Sequence, residues 1–349
     1  MNSILGSNRA ESLSQEDSGS KPIPSRFRTV FFSNEFGLLV LIIAFSVVFT
    51  LANSNFISKF NLWSLSRSVA VYAMIGMAMM AVIVTGGLNL AVGAIGVCSA
   101  MTFGWLNEVV GMHWMLCLIL SLLLAGFLGF INGWLVVTTG INSFVITLAT
   151  MSIFFGVMIF VSQAQSFRGL SPEMIAFGKM KLLQVCSPLL IVAIVIAIAM
   201  SFLYRFTSQG REMLAAGAAP EAAELSGVRV GRVFIYCHIL SGMLAGLTAL
   251  LVTSRYGAAI PSMAGQLGLD WMLIAFLGPV LGGTVLAGGR VSILGTFLGA
   301  TLVVVLTSGL LLLQVGEFWV QAVLGVLLLL AVLADKARHK YLQYKGWAQ

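Results

Sequence analysis

From Arg67 to Glu108, and again from Glu108 to Arg168, no Asp, Glu, Lys or Arg interrupts the chain between those end points. Crossing the hydrocarbon core of a bilayer takes roughly 20 apolar residues in a helix, and the second window is long enough for two crossings. A water-facing domain carries about 25% charged residues. This chain carries 9%, with 59% hydrophobic residues and a mean hydropathy of +1.01. A membrane β-barrel would show short alternating strands with a polar lumen face, and that pattern is absent. The chain therefore reads as an all-α polytopic membrane protein.

Apolar helices are expected at 36–52, 69–86, 89–107, 114–138, 142–162, 187–204, 233–254, 271–283, 290–313 and 318–334. That makes about ten spans. The window 271–283 is short and interrupted by Gly and Pro (F-L-G-P-V-L-G-G), which predicts a broken or re-entrant segment. Residues 1–35 are Ser-rich and polar and read as a disordered cytoplasmic tail. The first apolar run starts near Phe36, too late for a cleaved signal peptide. The transmembrane domain is expected over 36–335, with a C-terminal tail over 336–349. Ten crossings from a cytoplasmic N-terminus return that tail, with Lys336, Arg338, Lys340 and Lys345, to the cytoplasm. Cytoplasmic loops carry the Lys and Arg excess, so the tail agrees. Lys59, Arg67, Arg168, Lys179 and Lys181 would then lie outside, against the rule, and the connection holding the last three is expected to fold as a periplasmic cap.

The same rule accounts for the net charge of +7 without nucleic acid. Cys98, Cys117, Cys186 and Cys237 are scattered in or beside apolar segments without C-x-x-C spacing, and read as small core residues. His113, His238 and His339 are equally dispersed, so no metal site is expected. No Asp, Glu, Lys or Arg sits centrally in an expected span. Such groups usually carry the coupling in proton-driven transporters, which argues against proton coupling. There is no G-x-x-x-x-G-K-[ST] phosphate loop, so no cofactor is expected on this chain, and it is not expected to be an enzyme. Energy for uphill transport would have to arrive through a partner.

The port for such a partner is a polar island at 205–232, R-F-T-S-Q-G-R-E-M-L-A-A-G-A-A-P-E-A-A-E-L-S-G-V-R-V-G-R. Six crossings put it in the cytoplasm, with Arg205, Arg211, Arg229 and Arg232. Within it, Ala219 to Gly227 reads as a short helix. Pro220 suits the first turn, Glu221 and Glu224 the positive end of the dipole, and Gly227 the C-terminal cap. So short a helix is marginal alone and needs a surface to dock on. An amphipathic connector lying on lipid is the alternative. A weak internal repeat is also visible: Thr85–Gly93 and Leu281–Gly289 both fit G-G-x-x-L-x-x-G. Transporters built from two related halves carry interrupted helices at corresponding places.

The island resembles the coupling loop of ABC importer permeases of the ribose type, G-R-x-x-x-A-x-G-x-N-x-x-A-A-x-x-S-G-I/V. The matching residues are Gly210, Arg211, Ala215, Gly217, Ala222, Ala223, Ser226 and Gly227; the family's Asn falls at Ala219. Three further segments match in order: T-G-G-L-N-L-A-V-G-A, I-N-S-F-V-I-T-L-A-T-M and L-G-G-T-V-L-A-G-G-R-V-S-I-L-G-T-F-L-G-A. The family's Asp in the first is Asn89 here, and Asp270 lies further upstream of L-G-G-T than the family's acidic residue. The resemblance runs from about 36 to 335.

It implies the permease domain of an importer in a bacterial inner membrane. Two permease chains, as a homodimer or heterodimer, would form the pore. A separate cytoplasmic ATP-binding subunit, holding ATP and Mg, would dock on Gly210, Arg211, Gly217, Pro220, Glu221, Ala222, Ala223, Leu225 and Gly227. A periplasmic solute-binding protein would deliver a monosaccharide. Sugars take hydrogen bonds, and a pore must release them, so a sparse polar lining is expected. Thr85, Asn89, Asn142, Ser143 and Thr147 are the pathway candidates, with Thr284 weaker. Trp63, Trp105, Trp114, Trp134 and Trp319 lie near expected span ends and read as interface anchors; Gly76, Gly126, Gly129 and Gly133 read as packing residues. Permeation of a nucleoside, autoinducer-2 or a branched-chain amino acid, a stand-alone secondary transporter or channel, and a membrane scaffold remain as alternatives.

Overall fold

The computed structural model describes residues 34–265 and 268–344. The tail expected over 1–35 lies outside the described residues up to position 33, as do the last five residues of the C-terminal tail. The described chain forms α1 (Asn34–Ala52), a 3-10 turn (Ser54–Ile57), α2 (Lys59–Ile83), α3 (Val92–Glu108), α4 (Trp114–Thr139), α5 (Ser143–Ser162) and α6 (Pro172–Lys179). It continues with α7 (Pro188–Phe206), α8 (Ser208–Ala218), α9 (Pro220–Leu225), α10 (Val230–Tyr256), α11 (Leu269–Leu281), α12 (Ile293–Leu312) and α13 (Glu317–Tyr344). The only extended pairings among these residues are isolated bridges.

All ten apolar segments are helical, and seven helices are long and apolar enough to cross a membrane. The other three are shorter: α3 has 17 residues, α11 has 13, and the apolar part of α13 spans Phe318–Leu330. Pro279 lies inside α11, and the chain leaves helix at Gly282 until Ile293. The basic C-terminal tail continues the last helix as far as Tyr344.

The bundle is built around α2 and α10. Their apolar windows are 83% and 67% buried, against 11% for α1 at the edge. In lipid, apolar side chains gain little by leaving the solvent, so helices associate through close packing at small residues. The α4–α10 contact follows that rule. A Cβ on Gly129 would strike the carbonyl of His238, one on Gly242 the carbonyl of Ala125, and one on Gly133 would lie 2.8 Å from the Cα of Ile235. Gly76 of α2 similarly admits Pro279 and Thr296, at 3.3 and 3.2 Å. Cys98, Cys117 and Cys237 are buried and free.

One boundary differs from the sequence reading. α2 starts at Lys59, not near 69, because the Ser58 side chain caps it by accepting from the Asn61 N–H at 3.3 Å. Arg67, assigned to a connection, is therefore helical and buried. Its guanidinium lies 4.4 Å over the Trp63 ring and donates to the Arg255 carbonyl at 2.9 Å. Lys181 approaches the same ring at 4.8 Å, and Trp63 Nε1 donates to the Met180 carbonyl at 3.2 Å. Trp63 is thus a buried post between two cations, not a lipid anchor. Trp105, Trp134 and Trp319 are exposed by 49%, 49% and 71%. The connection carrying Arg168, Lys179 and Lys181 does fold, through α6 and the Phe167–Ala259 bridge. Its Lys181 lies over the aromatic faces of Trp63 and Phe60, at 4.8 and 5.9 Å, a local reason for that basic residue where charge statistics do not expect one.

Gly242→Leu should disrupt the α4–α10 contact and lower stability by about 1–3 kcal/mol or more, as overpacking does. Gly156, with nothing near its missing Cβ, should accept Leu without loss. Thermal unfolding of both variants in mild detergent checks the contrast.

Candidate functional site

The polar island forms a short helical arm. Thr207 joins α7 to α8: its hydroxyl donates to the Leu203 carbonyl at 2.6 Å and accepts from the Gly210 N–H at 3.0 Å. Gly210 is buried against the end of α7, so close that a Cβ there would strike the Leu203 carbonyl. Along α8, Met213, Ala216 and Gly217 face inward while Arg211, Ala215 and Ala218 are exposed. Ala219 (φ −156°, ψ 86°) turns the chain without any side-chain cap. Pro220 then opens α9 at the position where a missing N–H costs nothing. Ala223 alone of α9 is buried. Glu221, Ala222 and Glu224 point away from the protein, and Leu225 is 92% exposed. Gly227 (φ +87°) closes the arm in the left-handed conformation, its N–H donating to the Glu224 carbonyl at 2.9 Å.

The root of the arm meets the two G-G-x-x-L-x-x-G segments. A Cβ on Gly217 would strike the carbonyl of Val84 and lie 2.6 Å from the amide nitrogen of Gly289. The Gly289 N–H donates to that same Val84 carbonyl at 2.8 Å. Gly288 (φ +92°) packs against the Gly86 nitrogen, and Gly86 (φ +76°) against the Ala287 carbonyl. Three backbones distant in sequence thus touch with no side chain between them. The meeting puts the connections after α2, after α8 and after α11 on one side, as ten alternating crossings require. The two repeat segments are not conformational copies: the left-handed glycine is the first of the pair at Gly86 and the second at Gly283.

The expected pathway residues sit around the α2–α3 break. Ser143 Oγ accepts from the Leu88 N–H at 2.9 Å, and Thr147 Oγ1 from the Leu90 N–H at 3.1 Å. Asn89, fully buried, donates to Ser241 Oγ at 3.0 Å and accepts from the Ala91 N–H at 3.1 Å. The Thr85 hydroxyl donates to the Val82 carbonyl at 2.9 Å, and Thr284 accepts from the Ser292 N–H at 3.3 Å. Asn142 is the exposed member, capping α5 by accepting from the Phe144 N–H at 2.9 Å. Three of the five, Asn89, Ser143 and Thr147, therefore hold the break against α5 and α10 within this chain, while Thr85 bonds back to its own helix.

A family described as branched-chain amino acid transport system / permease component matches residues 61–332. The chain belongs to this family of ABC importer permeases. The permease is 34% identical to the ribose import permease protein RbsC of Bacillus subtilis, covering 86% of this chain and 91% of the relative. It is 31% identical to the D-allose transport system permease protein AlsC of Escherichia coli, covering 93% and 97%. It is 29% identical to the autoinducer 2 import system permease protein LsrD of Photorhabdus laumondii, covering 90% and 95%. No solved structure matches it.

Sequence reading found the arm but not what anchors it. Val84 and Ala287, which complete the permease's backbone junction, carry no chemical signal in their side chains. Leu225 was among the docking positions implied by the resemblance, but its 92% exposure at the tip of the arm could not be read from the sequence. The uncapped Ala219 gives a direct test. Asn there would supply the acceptor that α9 lacks and stabilise it by about 1 kcal/mol. Amide exchange at Ala222 and Ala223 should slow about fivefold in Ala219→Asn, the same energy expressed as a ratio.

Proposed function

We propose that this permease is the membrane-spanning pore subunit of an ATP-driven importer for a monosaccharide, driven through α8 and α9 by a separate ATP-binding subunit. The observation that carries the reading is the arm itself. It presents Leu225, Glu221 and Glu224 outward while its root lies on both interrupted connections. A docked subunit that moves α9 would bear directly on the loops where α2 and α11 end. In this reading the arm and both termini face the cytoplasm, where the partner holds ATP and Mg. The opposite face, with Lys59, Lys179 and Lys181, receives a periplasmic binding protein. A sugar cargo is supported by the ribose and allose permeases among the relatives; the autoinducer-2 permease keeps a cyclic furanosyl solute as the second reading.

The pore would form against a second permease chain along α5, whose Val145, Leu148, Ile153, Val157 and Phe160 are exposed. Within the expected pathway set, Asn142 would face the pore, while Thr85, Asn89, Ser143 and Thr147 shape it from behind. Asn89→Leu should then impair uptake without loosening the ATPase.

The arm is tested by purifying the tagged permease with its membrane partners. Ala222→Arg with Leu225→Arg should reduce recovery of the ATP-binding subunit about 30-fold, as loss of roughly 2 kcal/mol at an interface hot spot does. Membrane yield should stay unchanged. Undiminished recovery and uptake would overturn the docking reading. Uptake of labelled ribose or allose, against labelled autoinducer-2, decides the cargo.

A further inference from the structure

At the end of the bundle opposite the arm, a cavity of about 330 Å³ lies between α2, α10 and α12. Its lining is unusual for a membrane interior. α2 contributes Asn61, Ser64, Ser68 and Tyr72, spaced i, i+3, i+7 and i+11 so that they share one face. That stripe runs about 16 Å along the helix. α12 contributes Thr307 and Ser308 from the other side, and the last turn of α10 brings Arg255 between them. No acidic side chain lines the cavity among the described residues.

Thr307, Ser308 and one Asn61 N–H spend their donors within the chain, on the Val303 carbonyl, Asn61 Oδ1 and the Phe56 carbonyl, so the free donors are those of Arg255, Ser64, Ser68 and Tyr72. Arg255 donates to Ser68 Oγ at 3.2 Å and lies 6.0 Å from the Tyr256 ring centroid, which leaves the Ser68 proton and the other guanidinium N–H groups without a hydrogen-bond acceptor among the described residues. Among the described residues, Arg255 has no acidic partner within salt-bridge distance, and neither the Ser64 nor the Tyr72 hydroxyl has a hydrogen-bond partner, although Asp270 is near enough to Tyr72 to act on it electrostatically. Arg67 holds the backbone of Arg255 through its carbonyl at 2.9 Å, so the end of α10 is fixed beside the cavity. Arg255 is half-buried in the last turn of α10, at a span end, where its charge has no acidic partner and is open to an anionic ligand. A guanidinium fork with surrounding hydroxyls fits an anion that offers several oxygens, and arginine is the side chain best matched to phosphate.

We propose that this cavity is a binding site for a phosphate ester, with Arg255 as the anchor and Ser64, Ser68 and Tyr72 as the supporting donors. The phosphate comes either from a lipid headgroup at that membrane face or from a small soluble phosphate. In both cases it ties α2 and α10 to α12. The site is independent of the importer reading, since binding is measured without transport.

The test uses the full-length chain in mild detergent, stripped of lipid. Dioleoyl phosphatidylglycerol is added in one arm, and glycerol 3-phosphate or inorganic phosphate in another, with ribose as the neutral control. Native mass spectrometry counts retained lipid, and thermal shift reports the soluble compounds. One phosphate compound per chain should bind at this site and bind at least tenfold more weakly to Arg255→Met. Lipid retention without a response to glycerol 3-phosphate identifies a headgroup site; saturable glycerol 3-phosphate binding that displaces the lipid identifies a soluble ligand. Ser64→Ala with Ser68→Ala, which removes only two hydroxyls, should weaken binding severalfold at unchanged thermal stability, so a misfolded Arg255→Met does not leave the question open. No phosphate binding to the parent chain, equal binding to both variants, or ribose binding as well as phosphate would overturn the proposal.

Discussion

Where the root of α8 crosses the connections after α2 and α11, peptide backbones approach with nothing between them. The Val84 carbonyl accepts from Gly289, and Gly217 fits beside both because it has no Cβ. Any side chain at Gly217 would have to push one of these backbones away. The arrangement makes three segments, distant in the chain, share one position. An exposed arm on a long loop could otherwise move without consequence for the bundle. Here its root cannot shift without disturbing the ends of α2 and α11.

The same economy of side chains runs through the bundle. Lipid gives little driving force for helices to associate, so packing must come from close approach. Gly129, Gly133 and Gly242 bring α4 and α10 together until backbone atoms limit the contact. The polar groups follow a complementary rule. A broken helix in a membrane leaves N–H and C=O groups that need partners. Ser143, Thr147 and Asn89 supply several of them at the α2–α3 break. Residue types chosen from the sequence as a possible sugar lining thus have a prior task, holding irregular backbone inside the membrane. A pathway role for Asn142 is compatible with that division, since Asn142 stands exposed at the head of α5.

Much of this was legible in the letters. Charge-free windows located the apolar helices to within a few residues, because hydropathy is a sum over neighbours in the chain. Pro220, Glu221 and Gly227 marked the short helix α9, because capping preferences act within one turn. The miss at α2 has a physical origin: Arg67 looked like a loop residue, yet its charge is accommodated on Trp63 and on the carbonyl of Arg255. Both partners are supplied by the fold, and Arg255 is distant in sequence. The polar stripe from Asn61 to Tyr72 has clear helical spacing, but its meaning depends on Arg255 and Thr307 arriving from two other helices.

The sequence by itself determined that the chain spans a membrane as helices, where those helices break, and that a polar arm leaves the bundle after α7. These follow from local quantities: apolar length, glycine and proline positions, and the charge of a short segment. Only the tertiary structure decided that the two glycine-rich breaks touch each other and the arm, that the polar candidates near them are internal clamps, and that a guanidinium faces a hydroxyl-lined cavity at the far end. Each of those depends on which helices become neighbours. That choice is made by backbone approach at small residues, and composition and spacing along one segment do not encode it.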